Sequence, residues 1–293
     1  MSENKENGIM NEQEEETSIR SMKSIGWLLD HHKTKESDRQ KMIADLTLNP
    51  GDHILDLGCG PGLWTESFMK EVAPEGRVTG IDIDPDYIQY AKTYNHTSQY
   101  SDKITFEVGN FHEIPYPNHT FDMVFCGNFF QFVEEPEKLL EEIKRVTKKG
   151  GRISEKSFDG SALIFHPMDS VLIHRVLTAT AHSLAENPVC PPFNCYFDNY
   201  IGRKNRGFFR KSGLADITTC AYAIQKYFPL SEPERRYIEN NARWYLDIAR
   251  DFLTEEDITA WTDCFDQNSD RYIMDSEDFY YCMVEIMSIG THE

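Results

Sequence analysis

Three glycines at alternate positions, Gly58, Gly60 and Gly62, lie in the stretch HILDLGCGPGLWT, directly after a short apolar run that contains a single acid, Asp56. Glycine lets a chain turn sharply and lets a ligand approach the backbone without meeting a Cβ. Asp82 ends the next apolar run, 24 residues after Gly58. A carboxylate there can accept hydrogen bonds from both hydroxyls of a ribose. Asp84, directly before Pro85, reads instead as a helix cap. A dinucleotide fingerprint, G-x-G-x-x-G, would place its third glycine at position 63, where this chain has Leu63. Asp56 is poorly suited to a pyrophosphate neighbour, but it could order the loop and meet a cation.

The elements that must position these residues follow from the apolar pattern. Strands are expected over 54–57, 78–81, 104–108, 123–126 and 153–158, with helices near 63–70, 85–94 and 135–146 between most of them. This alternation predicts an α/β fold: a doubly wound, Rossmann-like, mainly parallel sheet with helical lid insertions. In such a sheet ligands sit beyond the carboxyl ends of the strands, which is where the glycines fall. Asn110 and Phe111 follow the third strand, and RVTKKGGRI turns into the fifth.

The ordered set resembles the class I S-adenosylmethionine-dependent methyltransferases, in the ubiquinone/menaquinone-biosynthesis-like small-molecule branch. The resemblance runs from about residue 41 to 158 and resumes over 198–217, in DNYIGRKNRGFFRKSGLADI. It implies that Asp56, Gly58, Cys59, Gly60 and Gly62 wrap the methionine part of the cofactor. Asp82, with Ile83 beside it, would bind the ribose, and Asn110 and Phe111 would embrace the adenine. Asn110 stands where the family more often has Asp. Asn128, just after the fourth strand, matches a position at the methionine end, and Gln131 sits a turn further on. The cofactor so implied carries a positive sulfonium and no phosphate, which fits a loop without lysine or arginine.

Composition narrows the partners. The 293 residues carry 49 acids against 30 bases, a formal net charge of −19, so a nucleic-acid backbone would be repelled by the average surface. Seven cysteines without a C-x-x-C pair, an odd number, and no apolar leader suggest a reducing cytoplasm. No apolar run is long enough for a membrane span, and no metal site is expected; Cys190 and Cys195 read as free thiols.

The plan of the chain is then an acidic disordered tail over 1–18, N-terminal helices and the cofactor-binding core over 19–158, and a helical lid insertion over 159–200. A late core helix and a strand near 217–224 follow within 201–229, then a second helical insertion over 230–275, and a final core strand near 279–287 within 276–293. The insertions and the Trp27 helix are expected to enclose a small, partly hydrophobic or aromatic methyl acceptor. Trp27, Phe165, Phe193 and Tyr196 are the candidate lining. Methyl transfer needs a base only when the nucleophile holds a proton, and the candidates are His31, His166 and Glu155, with His32 beside His31. Glu155 and Lys156 read more simply as a salt-bridged pair on the rim. Tyr272, Tyr280 and Tyr281 read as strand packing. Alternatives are a nicotinamide-dependent oxidoreductase and a non-catalytic S-adenosylmethionine-binding module.

Overall fold

The computed structural model describes residues 23–190 and 193–293; the expected acidic tail lies outside them. Seven strands form one sheet in the order β3-β2-β1-β4-β5-β9-β8. They are β1 (His53–Leu57), β2 (Arg77–Asp82), β3 (Ile104–Val108), β4 (Phe121–Gly127), β5 (Thr147–His166), β8 (Ala215–Tyr227) and β9 (Tyr280–Thr291). β1 to β5 run parallel, and β9 is inserted antiparallel between β5 and β8. A separate hairpin joins β6 (Val189–Cys190) to β7 (Cys195–Tyr196). The helices are α1 (Ile25–Thr34), α2 (Glu36–Leu46), α3 (Thr65–Val72), α4 (Pro85–Asn95), α5 (Pro136–Val146), α6 (Ser170–Glu186), α7 (Asn205–Lys211), α8 (Glu232–Ala249) and α9 (Glu255–Phe265).

Period-two alternation divides each central strand between two cores. Along β1, Ile54 packs with Phe68 and Met69 of α3, while Leu55 and Leu57 join Leu139, Leu140 and Ile143 of α5 on the opposite face. Asp56 shares the Ile54 face and is buried. Where α4 begins, Asp84 caps it as expected, its carboxylate accepting from the Asp86 N–H at 2.8 Å. The strand order reverses between β1 and β4, which opens a crevice at their carboxyl ends.

Two expectations about the later chain change. β5 does not end at residue 158 but continues to His166, paired along its length with β9 across a register shift between Asp159 and Leu163. The chain becomes helical only at Ser170, because Leu163 and Phe165 continue the sheet's alternation into the core beneath α6 and α9. The final strands extend beyond the expected 217–224 and 279–287, since their pairing with each other prolongs both.

Candidate active site

The crevice continues into one cavity of about 570 Å³ that lies between the strand tips and a cover made by α1, the β6–β7 hairpin and α8. At one end are the glycine loop, Asp56 and Asp82; at the other are Lys35, Lys156 and Glu285. The loop is held by backbone bonds from Gly58 and Cys59 to the Ile81 carbonyl, at 2.8 and 3.0 Å. Asp82 Oδ2 accepts from the Gly60 N–H at 2.7 Å, and Oδ1 from the Asp84 N–H at 3.0 Å.

The three glycines serve different ends. A Cβ on Gly58 would strike the Phe129 ring and one on Gly62 would strike Phe106, both within 3 Å, whereas a Cβ on Gly60 would meet no protein atom within 4 Å. Gly60 lines the cavity; Gly62 does not, so its bareness answers to packing. Buried polar atoms without a protein partner, Gln131 Oε1 and Trp27 Nε1, also belong to residues on the cavity wall. Such orphans mark places where a ligand completes the hydrogen bonding.

Burial raises both acids at this end. Asp56 is pushed up to about 7, partly offset by the bond it accepts from the Thr65 hydroxyl at 3.3 Å and reinforced by the charge of Asp82. Asp82 is raised by the same desolvation, against the backbone N–H groups of Asp84 and Gly60, which favour its carboxylate. A cation entering this end would reverse the penalty.

At the far end, β5 and β9 place Lys156 and Glu285 on one face in diagonal register. Glu285 bridges two ammonium groups: Oε1 accepts from Lys35 Nζ at 2.6 Å and Oε2 from Lys156 Nζ at 3.0 Å. Lys35 Nζ also lies 2.8 Å from His31 Nε2, and Lys156 Nζ donates to Asn128 Oδ1 at 3.1 Å. Desolvation alone would raise Glu285, but Lys156 and Lys35 together hold it well below the carboxylate range. Burial lowers both lysines, while Glu285 opposes the shift. Burial and then Lys35 keep His31 neutral, and burial beside Arg39 lowers His32 to about 3.

Of the residues expected at the cofactor, Asp56, Gly58, Cys59, Gly60, Asp82, Ile83, Phe111, Asn128 and Gln131 line the cavity. Asn110 does not: it is exposed, and its Oδ1 accepts from the His112 N–H at 2.9 Å in a local turn. Among the acceptor candidates Trp27 and Phe193 line the wall. Phe165 is instead packed against Trp261, Phe265 and Tyr281. Tyr196 does not line the wall, although its chain neighbours Cys195 and Phe197 do.

His31 lies on the wall, but His166 is exposed at the far end of β5. Glu155 and Lys156 are no rim pair: both are fully buried, and successive strand residues point to opposite faces. Glu155 accepts from Ser157 and Asn205 on the side away from the cavity, and burial pushes it up to about 8. Sequence reasoning missed Lys35, Tyr237, Tyr281 and Glu285 as cavity residues; the available signal was the lone acid of CMVEIM in an otherwise apolar strand. Among the described residues, no cluster of three or more His, Cys, Asp or Glu is placed to hold a metal ion.

Parallel β1 to β5 with β9 inserted antiparallel, a bare-backbone loop at the first strand tip and an acid at the second are features this chain shares with the class I S-adenosylmethionine-dependent methyltransferases. A family model described as methyltransferase domain matches residues 48–198, just over half of the chain, and the chain belongs to that family. Among curated proteins, a demethylmenaquinone methyltransferase of Symbiobacterium thermophilum is 38% identical over 117 residues, which are 40% of this chain and 47% of that protein. The chain spans about half the length of the curated relatives it matches. Two solved structures share the fold at low identity. The YcgJ protein of Bacillus subtilis has a TM-score of 0.54 at 15% identity, covering 86% of this chain and 96% of that one. The [4+2]-cyclase SpnF has a TM-score of 0.50 at 16% identity, covering 86% and 79%. Among the described residues, no helix is long and apolar enough to cross a membrane.

Proposed function

We propose that this chain transfers the methyl group of S-adenosylmethionine to a small, partly hydrophobic or aromatic acceptor by in-line displacement. The reading rests on one observation: a single cavity joins the glycine loop to a wall built from Trp27, Trp64, Phe193, Tyr237 and Tyr281. When bound, the cofactor supplies an electrophilic methyl on a positively charged sulfur. Asp82 would accept from the ribose hydroxyls, Gly60 would give the amino-acid end room, and Phe111, edge-on to Phe129 with ring centres 5.1 Å apart, would flank the adenine. Asp56 would face positive charge.

The cover would shield this space from water when the ligands are bound. Asp30 of α1 pairs bidentately with Arg236 of α8, at 2.8 and 3.0 Å, and Lys23 Nζ donates to the Phe193 carbonyl at 2.8 Å. Enclosure favours a small acceptor over a polymer. Incubation with methyl-labelled cofactor and a cell extract tests this: label is expected in a metabolite of low mass. Label in protein, RNA or DNA alone would refute the small-acceptor reading.

Asp82→Ala is expected to weaken S-adenosylmethionine binding at least about tenfold, because charge-assisted hydrogen bonds are worth about 1.5–3 kcal/mol each. The same carboxylate holds the Gly60 N–H, so the loop would lose its tether as well. Calorimetry showing wild-type affinity in a folded variant would remove Asp82 from the site.

Binding should also depend on pH. Burial pushes the Asp56 carboxyl up to about 7, and a neighbouring cation favours its charged form, so binding is expected to drive a proton off. Affinity for S-adenosylmethionine is therefore expected to rise with pH through that region and to level off above it. Calorimetry in buffers of different ionisation enthalpy should detect proton release in the wild type and none from this site in Asp56→Asn. A flat pH profile in the wild type would contradict the assignment.

A further inference from the structure

Charge is unevenly divided along the cavity. The acids Asp56 and Asp82 stand on β1 and β2, whereas Lys156 stands on β5, two strands from β1 in the order β1-β4-β5. At roughly 4.8 Å per strand the two ends are about 10 Å apart. At the β5 end, the directly bonded array of Lys35, Lys156 and Glu285 holds two ammonium groups against one carboxylate, and all three side chains are nearly inaccessible to solvent. His31 is its neutral neighbour on α1. Arg39 of α2, over the Trp64 ring at 5.5 Å, adds a further positive charge to the wall, offset by Glu36 and the buried Asp38 of the same helix. Tyr237 and Asn241 of α8 bring no cation or anion.

A buried excess of positive charge is costly unless something neutralises it. Each ammonium carries three N–H donors, and the contacts described use two on each lysine. We infer that the acceptor binds as a singly charged oxyanion, a phenolate, enolate or carboxylate on an apolar body, held between Lys35 and Lys156. This inference rests on the small-acceptor reading and names the chemistry of its substrate class. The aromatic wall takes the body, and the lysines take the oxygen. Asn128, which accepts from Lys156 and follows the fourth strand, places that oxygen toward the methionine end of the cofactor site. A monoanion matches the array because Glu285 already neutralises one of its two lysines. An incoming anion would oppose the effect of burial that lowers both lysines.

4-Nitrophenol is a suitable probe, because its phenolate is yellow and nitrobenzene is a neutral analogue of nearly the same shape. Binding is measured by absorbance and calorimetry below the pH at which the free phenol ionises, with and without S-adenosylhomocysteine. The expected result is an increase of the phenolate band on mixing with protein, an affinity at least about tenfold above that for nitrobenzene, and the same preference when S-adenosylhomocysteine is bound. Lys156→Met, which leaves Lys35 paired with Glu285, should lose the band and most of the preference. The wild-type comparison decides the matter should that variant misfold. Benzoate that displaces the yellow phenolate would extend the site to carboxylates; benzoate that does not would confine it to phenolates and enolates. Equal affinity for nitrobenzene, absence of the phenolate band, or loss of the band once S-adenosylhomocysteine binds would overturn the inference. In the last case the lysines serve the cofactor's own carboxylate. Failure of S-adenosylhomocysteine itself to bind would instead refute the underlying methyltransferase reading.

Discussion

Gly60→Val is expected to abolish S-adenosylmethionine binding in a protein that remains folded. Gly60 has φ of +53°, a region in which a β-branched residue is strained by roughly 1–2 kcal/mol. That is a minor part of the 5–15 kcal/mol typical of a folded domain. The new side chain would meet no protein atom near its Cβ, so the fold loses little beyond the strain. The space it enters is the cavity beside Asp82, where the ligand's amino-acid end would sit. Circular dichroism should report a native protein and calorimetry no detectable binding. Gly58→Val gives the contrasting control: its Cβ would strike Phe129, so stability should fall along with binding. A folded Gly60→Val protein of normal affinity would show that the loop faces elsewhere.

The second large effect is on stability. Glu285→Ala leaves Lys35 and Lys156 buried without their shared carboxylate, and breaking a buried pair by removing one partner costs about 3–5 kcal/mol. For a chain of this size the corresponding fall in Tm is about 5–8 °C. The sign of the pH dependence follows from the lysines. With Glu285 gone they lie further below their unfolded values, so the unfolded state binds more protons and stability rises with pH. The deficit of the variant should thus be greatest near neutral pH, shrink toward alkaline pH as the lysines lose their protons, and shrink in acid as the wild type loses the stabilisation of its own depressed carboxylate. Thermal melts across that range check it. A uniform deficit at every pH would attribute the loss to packing rather than to the charges.

Much of the nucleotide end was legible in the chain. Alternation of apolar runs with helical segments is a local property, and it located β1 through β4 and α3 through α5 to within a few residues. The glycines and Asp82 could be placed at strand tips because an open parallel sheet puts those tips on one edge. Asn110 was misplaced because a side chain near a strand tip can satisfy its own turn, as this one does with the His112 N–H. Phe165 and Tyr196 were misplaced by residue type alone; whether an aromatic faces a cavity or a core depends on strand phase, and the phase of β5 after residue 158 depends on β9.

The sequence by itself determined the class of sheet, the strand tips that carry the glycine loop and Asp82, and the absence of the third dinucleotide glycine. These depend on short-range periodicity and on which residues tolerate a left-handed backbone. Tertiary structure alone decided the opposite end of the cavity. Lys35, Lys156 and Glu285 span 250 positions of chain, and they meet only because the last strand inserts beside the fifth while the first helices fold over the strand ends. No local pattern encodes that meeting, since each residue taken singly is a charged side chain near an apolar segment. Once assembled, the three exclude water from one another, and their burial turns ordinary surface chemistry into a charged recess able to select its ligand.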